Sequence, residues 1–527
     1  MKMHSLLLRT LPIVGAALIA FSTAAQAQAP KSVLRVVPQS DITITDPLFS
    51  TAWISVIHGT MVWESLFAWD SKMQPKPQMA EQWSVSPDGL AWRFKLRDGL
   101  RFHDGSNVVV ADVIASLKRW MTIDSTATKL APITASMTEI DSRTLEWRLS
   151  KPFPSLLTVL SAVPSRFPAV MRAKDIPEPG KPATTVIGSG PFRYNATESV
   201  AGVRRVYDRN PDYVPRSEPA DGLSGGRIVK VDRVEWQIIP DASTSAAALQ
   251  AGEVDFMERP SLDLLPKLIR DKQIQTRKLT ELSGQAILRP NTLYPPFNDV
   301  RAREALAYLI DQAEVLAAGY GDERYWKKCN SFFICGSPNG IEAGAEGFKQ
   351  DLPKVKKLMA EAGYKGETIY FQSTHELAQL GNMAEVVVDA MRKAGMKVEL
   401  RWGDWATTIA RSANRGDPAT TGWNIYVTSA PGPLMWTPNT NIGVNMSCDR
   451  TNFAGWPCDE EVEKLRRSFL EAGDAERPKI LETLHRRLAT TQPYRVLGQY
   501  DFPVAYRANV KGVLASPIVV YWNIAKE

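Results

Sequence analysis

The sequence predicts an α/β protein of at least two lobes, and three observations carry that prediction. The 527 residues exceed the roughly 250 to 300 that one hydrophobic core usually organises. Strand-like alternation marks the first third, where Trp92, Phe94 and Leu96 interleave with Arg93, Lys95 and Arg97. In the second half, a strand from Ile369 to Phe371, a helix through Val387, Ala390, Met391 and Ala394, and a strand from Val398 to Trp402 read as a βαβ unit.

At the N-terminus, Lys2 and Arg9 mark a short charged region ahead of an apolar run from Leu11 to Phe21, and Ala25-Gln26-Ala27 offers small residues for cleavage. Residues 1–27 are therefore expected to be a signal peptide removed near Ala27. The apolar run falls short of the roughly 20 residues that span a membrane. No cysteine lies near the cleavage site, so no lipid anchor is expected. Losing Lys2 and Arg9 takes the formal net charge from +6 to +4, with no basic run, which excludes nucleic acid as a natural partner.

After the leader, Val33 to Val37 reads as an apolar strand and Met61 to Phe67 as a helix packed on it. Ser86-Pro87-Asp88-Gly89 is a turn, because Pro presets φ and Gly accepts φ > 0. Asp98-Gly99 turns the chain again, Leu100 and Phe102 continue the alternation, and a helix begins near Asp112. Leu145, Trp147 and Leu149 form a further strand, ended by Pro152-Phe153-Pro154. Asp241 caps an Ala-rich helix that Gly252 ends, Asp299 caps one with Ala302, Ala305, Leu306, Leu309 and Ile310 on one stripe, and Asp351 caps one with Pro353 in its first turn. From Gly498 to Trp522 the chain is again β-rich and punctuated by proline.

Four cysteines follow the leader as two sequence-local pairs, Cys329 with Cys335 and Cys448 with Cys458. Export favours two disulfides over a zinc site, which would need tighter spacing or added histidines, although four cysteines allow three connectivities.

Enzymatic chemistry finds little support. Five histidines are present and His4 leaves with the leader; there is no Gly-x-Ser-x-Gly elbow and no His-Glu-x-x-His. His103-Asp104 lies at a strand end and reads as structural, while His58 either faces the fold or nears a cleft. Gly188-Ser189-Gly190-Pro191-Phe192 is a turn rather than a phosphate loop, because its glycines lead into Pro-Phe and not into a helix with Lys-Ser or Lys-Thr. The reading is a non-enzyme without cofactor or metal.

The block AEQWSVSPDGLAWRFKLRDGLRFHDGSNVVVAD, Ala80 to Asp112, resembles a signature of the family 5 extracellular solute-binding proteins, the dipeptide-, oligopeptide- and nickel-binding receptors of bacterial ABC importers. Gly188 to Phe192 with Asn210-Pro211-Asp212-Tyr213, Asp241 to Asp255, and Tyr294 to Asp299 resemble later blocks in the same order. The resemblance implies the two-lobed periplasmic binding protein fold, type II, in its large peptide-receptor-like variant, with an extra subdomain on the first lobe. Lobe I would comprise 28–60, the subdomain 61–187, then 188–285 and a C-terminal return 501–527, with lobe II at 286–500. It implies a monomeric periplasmic receptor that captures a small solute and delivers it to the transmembrane permease subunits of an ABC transporter. A periplasmic chaperone or chemosensory receptor using the same cleft is the alternative, and a nickel or haem chelate receptor has little support without a His-rich pocket.

Cleft receptors hold ligands with aromatic walls and a few polar anchors. Of the 15 Trp residues, Trp83, Trp92 and Trp147 read as core. The resemblance places Ser50, Thr51, Trp53, Trp402, Asp404, Trp405, Trp423, Tyr426, Trp436 and Asn441 at the ligand. Peptide receptors of this family carry an acidic residue shortly after the Trp of a Gly-Trp loop, yet here Gly422-Trp423-Asn424-Ile425-Tyr426 is followed by no acidic residue until Asp449. Gln372-Ser373-Thr374-His375 likewise lacks the carboxylate-binding Arg. A small neutral, aromatic or hydroxylated ligand, or a peptide without free termini, would suit such a loop. Asp404 or Arg289 could instead supply the charge for an ordinary peptide. On this reading, truncating Trp423 or Tyr426 weakens binding without unfolding the protein.

Overall fold

The computed structural model describes residues 32–50, 52–124, 126–161, 166–450 and 452–527. The expected signal peptide, 1–27, lies outside the described residues.

Two large sheets organise the chain. The first runs Ile274–Arg277, Val504–Arg507, Phe256–Met257, Val33–Val37, Arg233–Gln237, Arg204–Arg209, Phe192–Tyr194 in spatial order. Its centre is the apolar opening strand, which pairs in parallel with Arg233–Gln237 on one side and Phe256–Met257 on the other. The second sheet runs Trp326–Lys327, Arg495–Tyr500, Gly284–Pro290, Ile425–Ala430, Ile369–Thr374, Val398–Gly403. Its last three strands are parallel, and the helix Ala378–Lys393 makes the crossover of the βαβ unit. Two stretches join the sheets, one between Arg277 and Gly284 and one between Tyr500 and Val504. Gly284 and Gln285 already pair with Tyr500 and Gln499, so the second sheet begins just ahead of the boundary expected at 285/286.

A four-stranded antiparallel sheet, Ala80–Val85, Ala91–Leu96, Thr144–Leu149, Thr134–Asp141 in spatial order, is built from the alternating segments. Trp92 sits directly opposite Trp147 on its covered face. Trp83 departs from its core assignment: it is 43% exposed and stacks on Trp92 from outside. Trp83 lies directly opposite the buried Phe94 and so points to the covered face, but it stands on an edge strand whose residues after Ala80 are all exposed, where the cover has run out.

The helix expected over Met61 to Phe67 lies earlier, at Trp53–Val62. It is buried on nearly every side, so it carries no amphipathic stripe that could mark its limits. Past Val62 the backbone turns extended, which lets the fully buried Glu64 accept hydrogen bonds from Gln78, Arg97 and Tyr213. Gly188 and Gly190 press on this helix end: a Cβ at Gly188 would lie 1.9 Å from the Val62 carbonyl oxygen, so this paired-glycine turn is a packing device. The helices Ala242–Ala251, Val300–Ala307 and Leu352–Glu361 begin where their Asp caps predict. Cys329 bonds Cys335 and Cys448 bonds Cys458.

Three histidines are held neutral inside the fold. His58 shares a hydrogen bond with the Tyr207 hydroxyl, His103 donates to the Gly190 carbonyl while accepting from the Gly188 N–H, and His485 bonds the Asn339 carbonyl. Burial lowers them from 6.5 to about 3, 4 and 4 respectively. The unfolded chain therefore binds protons near pH 6.5 that the folded chain refuses until about pH 4. Stability is expected to fall as pH drops through that window, by up to about 1.4 kcal/mol per pH unit for each histidine. Urea unfolding at stepped pH checks this; constant stability from pH 7 to 4.5 would contradict it.

Candidate functional site

Two cavities open between the first-sheet half and the second-sheet half. The larger, about 440 Å³, has one wall from the subdomain side: Trp69 on Phe67–Trp69, Trp120 and Asp124 at the end of helix Val110–Ile123, Thr158 and Val159 on helix Leu156–Ser161, and Arg166. The opposite wall comes from the segment after Ile425–Ala430, with Trp436, Thr437, Asn439 and Thr440, and from Phe469, Arg477 and Leu481 on the two long helices Glu460–Glu471 and Arg477–Thr491. A volume of this size accommodates a small organic molecule, and aromatic walls with a few polar groups are what such sites use.

Several buried polar atoms on these walls have no partner among the described residues: the indole nitrogens of Trp69 and Trp120, the Asn439 side-chain oxygen and the Arg477 Nε. These atoms have essentially no accessible surface and so lie behind the cavity surface; leaving such groups unpaired costs about 1 to 3 kcal/mol each. Between the walls, the Ser155 hydroxyl donates to the Leu470 carbonyl at 2.6 Å and accepts from Arg477 at 2.7 Å, while Lys151 pairs with Glu471 at 2.6 Å. These contacts tie the two walls together.

The smaller cavity, about 110 Å³, lies where the two connecting stretches cross. Trp53, Gln39, Glu258 and Arg259 meet Pro431, Gly432, Pro433 and Phe502 there. The buried Glu258 carboxylate accepts from the Tyr521 hydroxyl at 2.6 Å and the Gln39 N–H at 2.9 Å, and burial pushes its pKa up.

The residues singled out from sequence are not brought together. Trp436 lines the large cavity and Trp53 the small one. Ser50 is buried just before Trp53, its hydroxyl accepting from the Ala52 N–H; Thr51 lies outside the described residues. Trp402 stacks on His375 at 3.8 Å, Trp405 donates its backbone N–H to Glu376, and Asp404 caps helix Trp405–Ser412 through Thr407. These groups sit at the carboxyl ends of Ile369–Thr374 and Val398–Gly403 and line neither cavity.

Trp423, Tyr426 and Asn441 line neither cavity. Trp423 is 0% exposed, wedged against Tyr426 and Trp456, with its indole N–H on the Ser412 carbonyl. Asn441, equally buried, donates to the Phe332 carbonyl and the Tyr494 hydroxyl and accepts from the Gly443 N–H. The reason is directional. The strand Ile425–Ala430 carries Pro431-Gly432-Pro433 to a cavity wall at its carboxyl end, whereas Gly422-Trp423 precedes its start. Arg289 likewise lines neither cavity: it is fully buried, donates N–H groups to the Ala454 and Gly443 carbonyls, and is lowered by burial to about 10. Trp69, Trp120, Asp124 and Asn439 were not legible as site residues, since each belongs to an ordinary patterned or loop segment.

Residues 74–443 match the family described as bacterial extracellular solute-binding proteins, family 5 Middle. A Sinorhizobium fredii protein named "Probable peptide ABC transporter periplasmic-binding protein y4tO" is 36% identical over 502 residues, 92% of each chain. Among solved structures, the dipeptide binding protein of a Pseudoalteromonas species with Met-Leu bound superposes with a TM-score of 0.77 at 19% identity, over 94% of this chain and 100% of that one. AgaA of A. tumefaciens with agropinic acid superposes at 0.75 and 21%, over 94% and 99%.

Proposed function

Since the chain belongs to the bacterial extracellular solute-binding proteins of family 5, we propose that it is the periplasmic receptor of an ABC importer, capturing a small solute in the large cavity and handing it to the permease. The observation that carries this reading is the roughly 440 Å³ chamber walled by both halves, because a ligand held by both walls favours their closed arrangement over an open one. The cargo is a peptide, a peptide-like compound or another small organic molecule. No bond is made or broken in this reading; the walls supply apolar and polar surface, and the Ser155 and Lys151 contacts link them. Residues 1–27 direct export, the mature protein works as a monomer, and the closed form docks on the transmembrane permease subunits.

The experiment is a thermal-shift screen of the mature protein, unfolded and refolded to strip carried-over solute, against peptides, opines, sugars, aromatic acids and metal chelates. A ligand at a hundred times its Kd adds about 2.7 kcal/mol, a clear rise in Tm. Stabilisation by one chemical class, saturable at one equivalent, is the expected result. Failure of every class to raise Tm would overturn the reading.

A further inference from the structure

The charges on the cavity walls narrow the solute further, on the premise that the chamber is the solute site. Asp124 ends the helix Val110–Ile123 and is 5% exposed, yet it lines the chamber. Its Oδ1 accepts the backbone N–H groups of Thr126 and Ala127, each at 2.9 Å. No Lys, Arg or His lies within ion-pair distance of it among the described residues. Arg166, the cation on the same wall, gives its hydrogen bond to the Leu48 carbonyl at 2.8 Å. The other positive group of the chamber, Arg477, is engaged by Asp474 and Ser155. Asp124 is thus a carboxylate held away from water without a countercharge in contact. Burial accordingly raises its pKa, with Arg166 and Lys129 acting only at a distance.

The same chamber is lined by three indoles, Trp69, Trp120 and Trp436. The face of an indole attracts a cation, and this attraction grows when water is excluded. A desolvated carboxylate beside aromatic faces is complementary to an ammonium group, from a primary amine to a quaternary one, and is a poor host for an anion. We propose that the solute carries an ammonium group that seats against Asp124 among these indoles. The anchor for the positive end of the cargo then stands on the subdomain side of the cleft, which accounts for the absence of any acidic residue between Asp417 and Asp449. The ammonium can belong to a peptide α-amino terminus or to a small alkylammonium compound; the chemistry at Asp124 is the same.

Matched pairs test this on the full mature protein. Titration calorimetry compares free tripeptides with their N-acetylated forms, and choline with its uncharged isostere 3,3-dimethylbutan-1-ol. Binding by the amine of at least one pair is expected, and which pair responds identifies the source. Asp124→Asn, which keeps an oxygen for the Thr126 and Ala127 N–H groups, should weaken that binding by about 30-fold or more, as expected for breaking a desolvated charge pair, at unchanged Tm. Two results overturn the proposal while sparing the receptor reading: equal binding of the uncharged partners, or undiminished amine binding by Asp124→Asn. If neither charged nor uncharged compounds bind, the chamber is not the solute site and both readings fall.

Discussion

Replacing Trp423 by Ala is expected to cost about 3 to 5 kcal/mol of folding stability while leaving the ligand affinity of the folded protein unchanged. The indole has no exposed surface, meets Tyr426 edge-on at 4.9 Å, lies 6.0 Å from Trp456 and donates to the Ser412 carbonyl at 3.1 Å. Truncation removes all three contacts, leaves a void among Tyr426, Ala454 and Trp456, and strands a buried carbonyl. A single mutation of this size takes a large share of the roughly 5 to 15 kcal/mol that holds a protein folded. Urea unfolding followed by calorimetry of the folded variant separates the two effects. Reduced affinity at native stability would return Trp423 to the ligand site.

A comparable loss, again about 3 to 5 kcal/mol, is expected for Asp46→Ala. The Asp46 carboxylate is buried and pairs with Arg119 on the helix Val110–Ile123, while it also accepts the Leu48 N–H at 3.0 Å and the Ala183 N–H at 2.6 Å. Removing it leaves a buried guanidinium without its countercharge and orphans two backbone donors. The uncompensated charge, rather than the lost attraction, is the main cost. Pairing the change with Arg119→Met removes that charge as well, so the double variant should recover part of the stability. Denaturant unfolding of the two variants checks both statements; a loss below about 1 kcal/mol, in the range of an exposed ion pair, would show that Asp46 is hydrated instead of locked to Arg119.

Local chemistry was readable wherever it repeats along the chain. The alternation of Trp92, Phe94 and Leu96 makes a strand with one covered face, and Asp241, Asp299 and Asp351 each cap the helix they precede through a side-chain oxygen. Period and caps are properties of neighbouring residues, so sequence exposes them. The limits of the helix Trp53–Val62 are not legible in sequence, because a helix buried all round has no polar face to set its phase. The site was less legible for a different reason. Its walls join Trp69 and Trp120 of one half to Trp436, Asn439 and Phe469 of the other, and among 15 indoles only the meeting of the halves selects three. The two ends of the strand Ile425–Ala430 share a composition, and only the fold shows that Pro431-Gly432-Pro433, just past its carboxyl end, line a cavity.

Charge shows the same division. The lack of an acidic residue in the loop after Trp423 is plain in the sequence, whereas its counterpart is spatial: Asp124 on the subdomain wall, and Glu258 bound to Tyr521 in the smaller cavity. Both carboxylates sit at the close of ordinary elements, and only their burial next to open volume distinguishes them from the many caps and surface acids of the chain.

Blocking the large cavity tests the central claim most directly. Thr158 lines it, is only partly buried, and donates no side-chain hydrogen bond among the described residues, so Thr158→Trp adds bulk to the chamber without removing a packed group. Titration calorimetry with a solute identified by the screen is predicted to show binding weakened by at least about tenfold, equivalent to about 1.4 kcal/mol, at native Tm, while Trp402→Ala, at the strand ends outside both cavities, binds as the parent does. Full affinity in Thr158→Trp together with lost affinity in Trp402→Ala would move the solute to the His375–Trp402 stack and contradict the account.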